Sequence, residues 1–250
     1  MNISKFARLF LLLFGLTMLS GCEASTDPNN QQYAELIIAK ADLENAAPVD
    51  VVDDAQSTAR NFYVVFDGSG SMDERPPQAD TFKTKLEGAK WAMHKFVEGL
   101  PDDVNLGLYV FDKHGSREVL TLGPNHKAAF LEQVDAVSAD NSTPLGASIE
   151  TGVKALKTQY LRQLGYGEFR LVVVTDGHAT DSINRGVKAA EANHFPIYTI
   201  GFGIGQTHQL RQYSRLYQDA ENAEQLKQAL DNAASELEAF PDQFSGKGPQ

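Results

Sequence analysis

Phe62-Tyr63-Val64-Val65-Phe66 runs straight into Asp67-Gly68-Ser69-Gly70-Ser71, joining two kinds of chemistry. Five apolar residues without alternation suit a strand covered on both faces, as in a parallel sheet. The next five place one carboxylate and two hydroxyls at alternate positions, with glycines that let the backbone turn tightly. An all-oxygen donor set of this kind suits a hard divalent cation, Mg²⁺ first, rather than zinc or copper. Two more oxygen donors, Thr143 and Asp176, come later in the chain, where a sheet would bring them alongside.

Outward from this stretch, strands and helices alternate. Phe82, Leu86, Ala89, Met93, Phe96 and Leu100 recur at steps of three and four, so a helix is expected from near Thr81, ending at Gly99 and Pro101. Val104–Phe111 reads as a second strand. Glu118–Leu122 reads as a third, antiparallel to it because the turn through Asp112–Gly115 is so short. Pro124-Asn125 opens a helix carrying Phe130, Val134 and Val137. After a loop over 138–144, another helix carries Leu145, Ile149, Val153 and Leu156. Phe169–Thr175 is the strongest strand signal and ends at Asp176-Gly177. A helix capped by Ser182 follows, with Ile183, Val187 and Ala190 inward, then a strand over Pro196–Phe202. A short helical piece near Thr207–Tyr213 leads to an apolar segment at Leu216-Tyr217. Asn222 caps a last helix with Leu226, Leu230, Ala233 and Leu237 on one face.

This order predicts an α/β fold: a doubly wound, mostly parallel central sheet flanked by helices, with one antiparallel edge strand. Right-handed crossovers put the C-terminal ends of the parallel strands on one edge, and ligands bind there at the switch in strand order. Asp67, Asp112, Asp176 and Gly203 all follow strand ends.

Asp67-Gly68-Ser69-Gly70-Ser71, then Thr143-Pro144-Leu145-Gly146, then Thr175-Asp176-Gly177 resemble the metal-ion-dependent adhesion site of von Willebrand factor A (vWA) domains. The resemblance extends over residues 60–240, including the Asn222–Leu226 helix start; the helix before the last strand is abbreviated. It implies a metal site of Asp67, Ser69, Ser71, Thr143 and Asp176. Ser69 and Ser71 would be direct ligands and Thr143 direct in the ligand-engaged state, with Asp67 behind them and Asp176 acting through water. It implies Mg²⁺, with Mn²⁺ or Ca²⁺ as alternatives, and a protein ligand whose acidic side chain completes the coordination. Ser142 and Asp140, beside Thr143, read as ordinary loop residues.

Rival chemistries fit less well. A Mg²⁺-dependent phosphohydrolase of the haloacid dehalogenase type needs a second aspartate two residues after the first, and that position is Ser69. Gly201-Phe202-Gly203-Ile204-Gly205-Gln206 misplaces the third glycine of a dinucleotide fingerprint and reads as a flexible loop. His114, His178 and His208 fall in loops at the ligand edge and read as solvated. No enzyme activity is expected.

At 250 residues and 42% hydrophobic, the chain has material for a well-buried core. Its formal charge of −11 argues against nucleic-acid binding, which rests on clustered positive charge. Near the N-terminus, Lys5 and Arg8 precede an apolar run over Leu9–Leu19, suited to a secretory signal rather than a membrane span. It ends in Leu19-Ser20-Gly21-Cys22, which resembles a bacterial lipoprotein signal, with Cys22 acylated. Cys22 is the chain's only cysteine, so no internal disulfide is available. The expected organisation is a signal over 1–22, a flexible tether over 23–59 (in which Tyr33, Leu36, Ile37, Lys40 and Leu43 are spaced for a short amphipathic helix, the alternative reading), a vWA domain over 60–240 and a loose tail over 241–250. The expected setting is the bacterial cell envelope, held by an N-terminal lipid in the membrane. Glu23, in place of the aspartate that signals inner-membrane retention, leans the assignment to the outer membrane. The reading is a metal-dependent binding module; the alternative is an envelope assembly or structural factor whose metal mainly stabilises the domain.

Overall fold

The computed structural model describes residues 33–44 and 58–235. The elements in chain order are α1 (Lys40–Glu44), β1 (Arg60–Asp67), α2 (Lys85–Gly99), β2 (Val104–Asp112), β3 (Gly115–Pro124), α3 (Lys127–Ala136), α4 (Leu145–Arg162), β4 (Glu168–Thr175), α5 (Asn184–Ala192), β5 (Ile197–Phe202), β6 (Ser214–Ala220) and α6 (Ala223–Ser235). Six strands form one sheet in the order β3-β2-β1-β4-β5-β6. Every neighbouring pair is parallel except β2–β3, so the doubly wound sheet has one antiparallel edge, as the alternation predicts. The winding reverses between β1 and β4, and the C-terminal ends of those two strands border the switch-point crevice.

Two-residue periodicity sorts β1 into two cores. Phe62, Val64 and Phe66 pack with residues of α2, α3 and α6 on one face. Tyr63 and Val65 pack with α4 and α5 on the other. A strand buried on both faces has no polar positions to spare, which is why its sequence reads as a continuous apolar run. Among the described residues, no helix is long and apolar enough to cross a membrane.

Four local expectations change. Helix α2 begins at Lys85, not near Thr81, with the Thr84 side chain accepting from the Glu87 N–H. Residues 74–84 instead close a loop: the Lys85 N–H meets the Glu74 carbonyl at 2.8 Å, and Asp80 accepts from the Ala223 N–H at 2.6 Å. Phe82 lies outside the helix and packs on Trp91 with ring centroids 5.6 Å apart. Ser182 does not cap α5, whose N-cap position is Ile183 with no side-chain bond. Asp181 instead serves the start of α4, accepting from the N–H groups of Gly146 at 2.7 Å and Ala147 at 2.9 Å. Strand β6 is a full seven residues, preceded only by a three-residue 3₁₀ turn. Asn222 does cap α6, accepting from the Gln225 N–H at 3.0 Å; Leu237 lies outside the described residues.

The tether expected over 23–59 does not hold for residues 33–44, which pack against the domain. Leu36 is 1% exposed and joins the core under α4 and α5. Asn193, just past α5, accepts from the Ile38 N–H at 2.8 Å and donates to the Leu36 carbonyl at 2.6 Å. Lys157 on α4 donates to the carbonyls of Glu35 and Ile37 and pairs with Asp42 at 2.9 Å. The polar composition of the segment conceals a short apolar stripe, and that stripe has found a partner. Cys22, the signal and the tail from 236 onward lie outside the described residues.

Candidate metal centre

β1 and β4 run in register to Phe66 and Val174, so Asp67 and Thr175 emerge side by side at the sheet edge. Asp67 is fully buried. One of its carboxylate oxygens accepts from the Ser69 N–H at 2.7 Å, and the other accepts from the Thr175 hydroxyl. Burial first, then the charge of Asp176, pushes this carboxyl up to about 6, against the pull of those hydrogen bonds.

A second loop is zipped onto the first. The Asp140 N–H donates to the Gly68 carbonyl at 3.0 Å, and the Gly70 N–H to the Asn141 carbonyl at 3.1 Å. Asn141 takes φ +77° and holds that turn by donating its side-chain amide to the Asp112 carbonyl at 2.9 Å. This pairing delivers Thr143, which is buried, to the crevice.

There the polar groups converge. The Ser69 and Ser71 hydroxyl oxygens are 3.2 Å apart, and the Ser71 hydroxyl donates to Asp176 Oδ1 at 2.7 Å. A Cβ placed on Gly177 would lie 3.4 Å from Thr143 Oγ1 and 3.8 Å from Ser71 Oγ, which places both hydroxyls beside the Gly177 backbone. Ser69, Ser71, Thr143 and Asp176 thus surround one space, with Asp67 set beneath the loop. It is a cradle of oxygens alone.

The sequence profile of the von Willebrand factor type A domain matches residues 61–243. The chain belongs to that family. A sequence relative, the UPF0353 protein of Nocardia farcinica, is 27% identical over 154 residues, a match that covers 56% of this chain and 44% of that protein. This chain therefore spans under half the length of that relative. Among solved structures, a von Willebrand factor type A protein from Catenulispora acidiphila superposes with a TM-score of 0.58 at 20% identity, over 72% of this chain and 43% of that one. An aerotolerance-related membrane protein from Bacteroides fragilis gives 0.53 at 17%, over 70% and 98%. Manganese-loaded TRAP protein from Plasmodium vivax gives 0.52 at 18%, over 71% and 74%. At these identities the likeness concerns the fold.

Within the vWA domain, sequence reasoning missed one residue that borders the cradle. Lys85, the first residue of α2, reaches Asp176 Oδ2 at 2.8 Å and Glu74 at 3.1 Å. Its side chain is 10% exposed and that of Asp176 not at all. Burial works against the ammonium charge, but the hydrogen bonds and charges of Asp176 and then Glu74 prevail, holding it above the usual lysine range. A signal was present: Lys85 shares the helical face of Ala89, Ala92 and Phe96, where a charge is out of place.

Two further readings change. His208 is buried rather than solvated; its Nδ1 accepts from the Leu210 N–H, so Nε2 carries the proton it donates to the Gly177 carbonyl at 2.9 Å. Exposed His178 stacks on it at 5.2 Å. The glycine-rich loop after β5 is fastened by Asp219, whose carboxylate accepts from the N–H groups of Gly203, Ile204 and Gly205 at 2.8–3.0 Å. Left-handed backbone at Gly203 and Gly205 makes that wrap feasible, and its ligand is an internal carboxylate.

Proposed function

We propose that this vWA domain is a binding module that engages a protein partner through a divalent cation held by Ser69, Ser71, Thr143 and Asp176, with Asp67 shaping the loop from below. The observation that carries this reading is the convergence of three hydroxyls and the Asp176 carboxylate around Gly177, at the switch point of the sheet. The donor set fits a hard cation: every group is an oxygen, and nitrogen and sulfur ligands are missing from it. Mg²⁺ is the first choice, with Mn²⁺ or Ca²⁺ as alternatives; the TRAP neighbour is manganese-loaded.

Such a cation supplies an electrophilic position for an anionic oxygen of the partner. The protein's share is to leave that position wanting. Neutral hydroxyls would balance little of a divalent charge, so an acidic side chain from outside would be needed to complete the shell. Asp67 supports binding over phosphoryl transfer, because its carboxylate is fully buried, accepting from the Ser69 N–H and the Thr175 hydroxyl, away from any incoming phosphoryl group. The lipobox-like Leu19–Cys22 supports a setting on the bacterial envelope, anchored by lipid, and Glu23 after it leans that setting to the outer membrane.

The test is capture from an envelope extract by the full chain with and without EDTA, beside Ser69→Ala. Capture of a specific protein that is lost in both arms supports the reading. The same capture surviving both arms contradicts it.

A further inference from the structure

Lys85 breaks three local rules at once. It is a lysine at the first position of α2, where the helix presents its positive end. It sits on the apolar face of that helix, and its side chain has lost nine-tenths of its contact with water. Nothing in the helix rewards these choices. A position that violates local preference without local compensation points to a functional constraint. What Lys85 has gained is Asp176, the carboxylate of the cradle, and Glu74 at the rim.

Asp176 divides its two oxygens. Oδ1 receives the Ser71 hydroxyl and faces the cradle, while Oδ2 receives the Lys85 ammonium. The same carboxylate therefore stands between a fixed monovalent cation and the place proposed for a divalent one.

We propose that Lys85 is the built-in cation of this site: it balances Asp176 when no metal is bound, and by its repulsion it holds metal affinity down so that a bound metal still requires an anionic ligand. This rests on the reading of the cradle as a metal site and adds how the site is tuned. A purely structural lysine makes the opposite prediction, since loosening Asp176 would weaken metal binding. Like charges a few ångströms apart at the edge of a protein repel strongly enough to change an affinity by tenfold or more.

The experiment is calorimetric titration of Mn²⁺ into the full chain, wild type beside Lys85→Met and Lys85→Arg, with thermal unfolding of each in EDTA and in saturating Mn²⁺. Lys85→Met is expected to bind Mn²⁺ about tenfold more tightly or better, to melt lower than wild type in EDTA, and to gain more from Mn²⁺. Lys85→Arg, which keeps the charge, is expected to stay near wild type in affinity. Binding by Lys85→Met alone, with wild type silent, also supports the proposal. Equal or weaker Mn²⁺ binding by Lys85→Met, with wild type binding normally, overturns the proposal and leaves the metal reading standing. No binding by wild type or by either variant overturns both. Should Lys85→Met fail to fold in EDTA, refolding it in Mn²⁺ decides: recovery supports the proposal, and failure there beside a folded, metal-binding Lys85→Arg overturns it.

Discussion

His208 couples the rim of the cradle to pH. Burial holds its imidazole below the ordinary histidine range, and its neutral form is locked between the Leu210 N–H and the Gly177 carbonyl. An unfolded chain protonates this histidine near pH 6.5, whereas the folded chain resists until a lower pH. Above pH 6.5 it is neutral in both states and costs nothing. As pH falls through that value the unfolded state takes up the proton first, so stability falls, by at most about 1.4 kcal/mol per pH unit for one group. Asp67, whose carboxyl is raised to about 6, takes up its proton first in the folded state and works the other way over the same range. The test is therefore a difference: in urea unfolding in EDTA from pH 7.5 to 5.5, the wild type should lose more stability, or gain less, than His208→Gln. An unchanged slope in the variant would remove His208 from the account. The histidine was legible in the sequence only as a loop residue, because its burial depends on the 3₁₀ turn at Arg211–Tyr213 and on Gly177, a strand away.

At the scale of elements, the packing of residues 33–44 is held by few anchors. Asn193 makes two hydrogen bonds to the segment, Lys157 spans three of its groups, and Leu36 fills the core beneath. Asn193→Ala removes two of these contacts while leaving the sheet untouched. The expected result is local release: amide exchange at Ile38 quickens at least tenfold, a shift of about 1.4 kcal/mol or more, consistent with hydrogen bonds worth about 1 kcal/mol each. The melting midpoint of the domain should move by no more than a few degrees. Unaltered exchange at Ile38 would mean that Asn193 does not hold the segment. Strands and most helices were readable because their signals are local, as with the unbroken apolar run of β1 and the three-and-four spacing from Leu86 to Phe96. The start of α2, the missing Ser182 cap and the docking of 33–44 were not, since each is decided by a partner distant in sequence: Ala223, Gly146 and Asn193.

Across the whole molecule, the site is where the topology puts it. The reversal of strand order between β1 and β4 opens a crevice, and the cradle residues come to it from three separated segments. Four of the five residues expected to hold metal surround one hollow, and the fifth shapes the loop beneath it. The sequence marks Lys85 as a charge out of place on an apolar face, but not as part of that site, because its partner, Asp176, lies 91 residues further on. The lipid reading makes its own whole-chain prediction. Expressed in a bacterium that processes lipoproteins, the wild type should partition into detergent, and Cys22→Ser should shift the bulk of it to the aqueous phase. Equal partitioning of both would dismiss Cys22 as the anchor. Mn²⁺ titration of the full chain, with Ser71→Ala alongside, probes the cradle itself. Saturable binding of about one ion by the wild type, raising its melting midpoint, with Ser71→Ala weakened at least tenfold, is the predicted result, since a ligand that binds only the folded state stabilises it. Equal binding by Ser71→Ala, or no binding by the wild type at millimolar Mn²⁺, would contradict it.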